Sequence, residues 1–292
     1  MIDVQCIDSA CRITRDLCSA AARVIKTIST GNDVLGVTSV DDELFVLLDR
    51  DSDQVAVYSI NDYRLLRQFS LPGLKRHCYN DLTSCVRHRC LYASNYGNEC
   101  VHRYDLATRR RSVLGRLFSK TTRKWPVPGK PRYLSVTPSS NLLVACQLPH
   151  KLVELSADRG QCVREIALQS GIEDPWHAVQ LTTGQYVVCH GGLHRVCIVD
   201  DDGRVTRRYS GQQRGSGVGQ LHWPCHLAVD EDSQLICVAD CRIDRVVVLS
   251  PRLKFVRYIS EGLSVPHRLY LHQETRRLYI GQCNRGVAVI QL

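Results

Sequence analysis

Four stretches of the chain open on proline and run into alternating apolar and polar positions. They begin at Pro131, Pro175, Pro224 and Pro266, 44, 49 and 42 residues apart. Each one, as in Pro224-Cys225-His226-Leu227-Ala228-Val229, leads to a polar turn such as Glu231-Asp232-Ser233 and then a β-branched run, here Leu235 to Val238. A third apolar segment, Arg245 to Leu249, and a fourth, Phe255 to Ile259, complete the unit. Alternation with period two marks strands, because successive side chains point to opposite faces. Four short strands in each forty-odd residues, with no helical period, predict a β-propeller blade.

Two weaker copies precede these, beginning near Val34 and Asp81. Six copies result, predicted as blades at 33–70, 79–117, 131–168, 175–210, 224–260 and 266–292. The last reaches Leu292 after three strands, whereas Arg23 to Ile28 is a strand-like segment with no blade of its own. Pairing strand 23–29 with the last blade would close the ring and remove two exposed edges. The expected fold is all-β: a six-bladed β-propeller of four-stranded antiparallel blades over 23–292, after an N-terminal extension of unassigned structure at 1–22.

Composition narrows the picture. Of the 292 residues 44% are hydrophobic and 23% charged, the balance of a folded chain. No run approaches the roughly 18 uncharged apolar residues of a membrane span. Asp3, Asp8, Arg12, Arg15 and Asp16 interrupt any signal-peptide core, so a cytoplasmic protein without a membrane partner is expected. Fifteen cysteines with no CxxC spacing argue against a zinc ribbon and for mostly reduced, buried thiols. Lys and Arg exceed Asp and Glu by 38 to 29, a net charge of +9 that points to a polyanionic partner.

The stretch Trp223-Pro224-Cys225-His226-Leu227-Ala228-Val229-Asp230, followed by Val238-Ala239-Asp240-Cys241-Arg242-Ile243-Asp244-Arg245-Val246-Val247-Val248, resembles an NHL repeat. That pattern has a proline-led first strand, Val-Ala-Asp ending the second and Arg-Val opening the third. Blade four keeps part of it in Val188-Cys189-His190 and His194-Arg195-Val196. Elsewhere the Asp240 column reads Asp49, Asn95, Gln147 and Gln282. Asp240 and Arg245 are expected to form a structural ion pair across their loop. The resemblance extends to the NHL domain of tripartite-motif NHL proteins, whose propellers bind RNA or proteins and whose ligase activity lies in a RING not found in these 292 residues. It implies a binding function, with any ubiquitin-ligase role supplied by a partner. Similar propellers in amidating lyases and lactonase-like hydrolases keep an enzymatic alternative.

In such a ring the turns joining strands one–two and three–four share a first face. Blade connections and two–three turns share the second. The first face collects acidic turns such as Asp41-Asp42-Glu43, and the second collects the basic ones. Its richest part is read as a long inter-blade loop carrying Lys120, Arg123, Lys124, Trp125, Lys130, Arg132 and Tyr133 with no acid, extended by Lys75, Arg76, His150 and Lys151. Lys and Arg neutralise phosphates, and exposed rings stack on unpaired bases. The expected interface is a basic, aromatic-bearing patch over blades two and three for single-stranded or stem-loop RNA, with an acidic protein partner as the alternative.

Strand one lines the propeller axis, so Tyr133, His177, His226 and Arg268, each two residues past its proline, should converge on the channel. Asp81 is a less well aligned neighbour. Two histidines and a carboxylate could bind zinc or exchange protons. Arg268 opposes a dication, however, and no G-x-S-x-G, Walker or HExxH motif accompanies the set. The residues predict satisfied structural histidines, with no catalytic residue, metal or cofactor. The resulting expectation is a monomeric, non-catalytic RNA-binding propeller, with protein recognition second and a metal-dependent lyase or lactonase-like hydrolase third.

Overall fold

In the computed structural model, which describes residues 23–49, 54–74, 79–106, 118–209, 214–283 and 285–292, the apolar segments of each copy pair into one antiparallel sheet. β1 (Val24–Ile28) precedes blade one, which is β2 (Val34–Val40), β3 (Glu43–Leu48), β4 (Gln54–Ser59) and β5 (Leu65–Ser70). Blade two is β6 (Leu82–Cys85), β7 (Cys90–Asn95), β8 (Cys100–Leu106) and β9 (Phe118–Pro126). Blade three is β10 (Pro131–Val136), β11 (Leu142–Cys146), β12 (Lys151–Leu155) and β13 (Cys162–Ala167). Blade four is β14 (Pro175–Gln180), β15 (Tyr186–His190), β16 (Arg195–Val199) and β17 (Val205–Tyr209). Blade five is β18 (Pro224–Val229), β19 (Ile236–Asp240), β20 (Arg245–Leu249) and β21 (Phe255–Ile259). Blade six is β22 (Pro266–His272), β23 (Arg277–Gln282) and β24 (Gly286–Gln291), and takes β1 as its outer strand. The pairing runs from Ile28 opposite Val287 to Val24 opposite Ile290, so the ring closes between the two ends of the propeller.

Second and third strands are buried on both faces because neighbouring blades cover them, and their sequences are continuous apolar runs for that reason. Leu143, Ala145 and Leu152 of blade three, for example, pack with Ala178, Val188 and Cys197 of blade four. Each fully buried Leu or Ile side chain contributes about 1.5–3 kcal/mol. The outer strands carry exposed positions, as in β13 and β17.

Proline suits the start of strand one because it has no N–H to leave unpaired. The register shifts immediately afterwards, between Pro175 and His177, Pro224 and His226, and Pro266 and Arg268. Such a bulge re-aims the next side chain. Here it turns one residue per blade towards the axis. Blade one has Gly36 in that place, where a Cβ would stand 2.6 Å from the Leu82 backbone nitrogen. Only glycine lets blades one and two approach so closely.

Two expectations are corrected and a third is borne out with one exception. The segment read as a long loop is mostly strand: its first part belongs to β9, paired with β8 so that Trp125 faces Val101 and Arg123 faces Arg103, and Arg132 and Tyr133 belong to β10. The Asp240 column holds Leu48, Asn95, Cys146, His190 and Gln282, because β3 and β11 lie one residue out from the spacing assumed for Asp49 and Gln147. Most described cysteines are free and buried, but Cys225 and Cys241 are joined, since the Pro224–Asp240 pairing brings their backbones together. Residues 1–22 and the fourth strand expected around 112–114 lie outside the described residues. No helix among those described is long and apolar enough to cross a membrane.

Candidate functional site

The strand-one bulges bring Tyr133, His177, His226 and Arg268 to the axis, where Asp81, just ahead of β6, joins them. Asp81 takes its place through bonds to Ser94: its N–H donates to Ser94 Oγ at 2.8 Å, and its carbonyl accepts from Ser94 N–H at 3.1 Å. Blade two has no proline to mark the position, which is why spacing alone aligned it poorly. Leu134 N–H donates to Asp81 Oδ2 at 2.8 Å, His177 Nε2 pairs with Leu134 O at 3.0 Å, and Leu227 N–H donates to His177 Nδ1 at 3.2 Å. Leu269 N–H reaches His226 Nδ1 at 3.4 Å. Arg268 donates to Leu35 O of blade one at 2.6 Å and to Asn80 O, beside blade two, at 3.1 Å. The Thr38 and Ser84 hydroxyls, 2.7 Å apart, join blades one and two. A belt of polar contacts therefore links all six innermost strands.

Electrostatics agrees with this structural role. Burial pushes the Asp81 carboxyl up, opposed first by Arg268, whose Nε lies 3.4 Å from it. Burial also holds His177 and His226 well below the ordinary imidazole value, so both are neutral at pH 7. Tyr133, under the Arg268 guanidinium at 3.8 Å, is pushed up to about 12 by burial. Asp81, His177 and His226 bring potential ligand atoms within 4.8 Å of one another. Both His177 nitrogens already meet backbone groups, so the set offers a cation only Asp81 and His226, beside a competing guanidinium. His226 Nε2 has no hydrogen-bond partner and lies 3.7 Å from Asp81 Oδ2. Below the belt, a funnel of about 280 Å³ extends past Val37, Leu82 and Val136 to Glu231 and Gln273 at the first-face turns.

The basic patch over blades two and three is not the surface expected. Trp125 is buried in strand alternation, with a Cβ-free Gly160 against its ring. Arg132, 2% exposed, lies 4.2 Å from the Tyr79 ring and 4.3 Å from that of Trp176, and Nη2 donates to Asp174 at 2.8 Å. Tyr133 is equally buried. Lys151 Nζ is held by Glu165 at 2.7 Å, and His150 Nε2 accepts from Asp174 N–H at 3.4 Å. Arg123 and Lys124 are exposed, although Arg123 donates to Asp158 O at 2.6 Å, and Lys130 stands 5.5 Å from the Tyr96 ring. Lys75 and Arg76 lie outside the described residues, as does the Lys120 side chain. Aromatics and arginine were assigned to the surface because composition reports a loop's charge and not the direction of its side chains.

On the same second face, over blades four and five, His194, Arg214, His222, Trp223 and Arg242 line a concavity of about 290 Å³. Arg214 and Arg242 are exposed, and no carboxylate lines the hollow among the described residues. Trp223 adopts φ +72°, like Asp174 at +56° and Val265 at +42°, which precede the strand-one prolines of blades four and six. Its N–H donates to His194 Nδ1 at 3.2 Å. The His194 and His222 rings meet edge to face at 5.3 Å, and the Arg242 guanidinium stands 5.9 Å from the Trp223 ring. Below, Arg245 Nε donates to Asp240 Oδ2 at 2.8 Å, while Nη1 and Nη2 hold Ser216 O and Gln220 O. Asp240 Oδ1 accepts from His222 N–H at 2.6 Å. The ion pair thus anchors both the connection between blades four and five and the wall of the hollow. Sequence reading placed these basic residues on this face but not beside one another, since they come from three separate loops.

This architecture defines a six-bladed β-propeller. Solved structures similar to it include a streptogramin B lyase (TM-score 0.62, 9% identity, covering 93% of this chain and 99% of that one). Another is a catalytically inactive virginiamycin B lyase from Staphylococcus aureus with quinupristin (TM-score 0.64, 9% identity, 93% and 99%). A third is a protein of unknown function from Bacteroides thetaiotaomicron (TM-score 0.65, 11% identity, 92% and 71%). At these identities the likeness shows the fold. No protein-family model matches the sequence, and no curated protein matches it. Of the expected NHL resemblance, the six-bladed propeller is what stands. The expectation of a non-catalytic protein is corrected: propellers of this shape include lyases.

Proposed function

We propose that this propeller binds RNA through its second face, centred on blades four and five. The observation that carries the reading is the hollow formed by His194, Arg214, His222, Trp223 and Arg242, which combines two exposed guanidiniums and an aromatic ring with no carboxylate among the described residues. Guanidiniums neutralise phosphates, and ring faces hold unstacked bases with little sequence preference. Exposed Arg123, Lys124 and Arg285 add attraction at longer range. Fluorescence anisotropy with a random single-stranded RNA pool tests this. Arg214→Glu with Arg242→Glu is expected to weaken binding at least about tenfold, the equivalent of 1.4 kcal/mol. Unchanged affinity in that variant would sink the assignment.

A second reading, catalysis in the axial channel, is favoured by the unpaired His226 Nε2 facing Asp81 above the funnel. It leans on fold analogy with the lyases. Incubation with quinupristin followed by mass spectrometry checks it: a changed product, lost in His226→Ala, supports the channel, and an unaltered ligand discards that substrate class.

A further inference from the structure

The hollow on blades four and five has a charge pattern more specific than general attraction to a polyanion. Four cationic or potentially cationic side chains, Arg214, Arg242, His194 and His222, converge on about 290 Å³. An internal phosphodiester carries one negative charge, whereas a phosphate monoester has a second ionisation near pH 6 and approaches two. A compact dianion matches a cluster of this density, and bidentate guanidinium–phosphate contacts favour Arg over Lys in that role.

The histidines add a second feature. With Nδ1 accepting from Trp223 N–H, neutral His194 carries its proton on Nε2 and can donate there. The groups that bear on its charge are His222, Arg214 and His190, with Trp223 and Arg242 also lining the hollow. Glu173 and Asp174 pack against Gly192 of the His194 loop, and the Asp174 carboxylate is engaged by Arg132 and the Trp176 N–H. Asp240, whose carboxylate accepts from the His222 N–H, is also engaged by Arg245. Desolvation, His222 and Arg214 accordingly keep His194 below its ordinary value and neutral at pH 7. A bound dianion reverses that balance.

Resting on the RNA reading above, we propose that this hollow is a subsite for the terminal phosphate of an RNA strand, gripped by Arg214 and Arg242, with uptake of a proton at His194. Internal phosphates and bases would contact the surrounding face.

Full-length protein is titrated with one oligoribonucleotide in 5′-phosphate and 5′-hydroxyl forms, with inorganic phosphate as competitor. The expected preference for the 5′-phosphate form is about tenfold or more, and inorganic phosphate abolishes only that increment. If a proton is taken up, the preference declines by up to about tenfold per pH unit above neutrality. His194→Gln removes this pH dependence, and Arg214→Ala with Arg242→Ala brings the ratio of the two affinities to one. Circular dichroism confirms that each variant is folded. Equal binding of the two oligonucleotides overturns the phosphate subsite and leaves the RNA reading standing. Binding of inorganic phosphate without binding of either RNA overturns the RNA source and the RNA reading together. A 5′-phosphate preference with no pH dependence overturns the role given to His194.

Discussion

Arg268 is among the most deeply buried residues of the molecule, and its guanidinium is shared among Asp81, the carbonyls of Leu35, Asn80 and His267, and the Tyr133 ring. Removing one partner of a buried pair leaves the other charge uncompensated, typically costing about 3–5 kcal/mol. Arg268→Met should therefore lower unfolding free energy by about that amount in urea titrations, and adding Asp81→Asn should restore part of it. An additive double variant would contradict the coupling. Acid sensitivity follows from the buried histidines. Burial lowers His190 to about 4 from the ordinary 6.5, so the native state binds fewer protons than the unfolded chain in that window. The stability is present above pH 6.5 and lost as pH falls towards 4; His177 and His226 act with the same sign. Asp81, shifted upwards, acts with the opposite sign in its own range. At about 1.4 kcal/mol per pH unit, His190 alone accounts for about 2 kcal/mol lost between pH 6.5 and 5. His190→Gln should flatten the stability profile by that amount, measured by denaturant unfolding at each pH. At this scale the axial residues were legible because proline marks a fixed offset along a strand. Asp81 was less so, because its blade lacks that marker.

Among elements, β1 and β9 show what periodicity can and cannot convey. β1 was legible as an orphan strand because an apolar edge needs a partner, and the last copy had one strand too few. β9 was not: its Thr-Arg-Lys-Trp order has strand alternation, but charge and nearby prolines made it read as loop. Pairing with β8 decides its side-chain directions, and that information lies in another segment. Edge protection is the main work of β1. Deleting residues 23–28 should uncover the β24 edge, lower the melting temperature and promote concentration-dependent association in sedimentation experiments. A monomeric, equally stable truncation would show that closure contributes little.

For the whole molecule, a net charge of +9 gains meaning only through placement. Counting side chains on loops centred a basic face over blades two and three, where Arg132, Trp125 and Tyr133 are interior residues. Exposed Arg123, Lys124, Arg214, Arg242 and Arg285 are spread over blade two, blades four and five, and blade six. Contact by three or four of them predicts a slope of roughly −2 to −3 in log affinity against log salt for single-stranded RNA. Neutralising Arg242 should make the slope shallower by about 0.7. A flat salt profile would remove the electrostatic basis of the reading.

Circular closure also orders events in time. Val24 pairs with Ile290, so the first strand of the propeller lies 266 positions ahead of its neighbour. At ribosomal speeds of about 5–20 residues per second, it waits roughly 13 to 50 seconds for that neighbour to be synthesised. Meanwhile blades one to five can pack successively, each on the one before, but the ring stays an open arc with two unsatisfied rims. The final blade then acts as a clasp, and Arg268 is its pin: it is made after blades one to five and fastens the last blade to the first two.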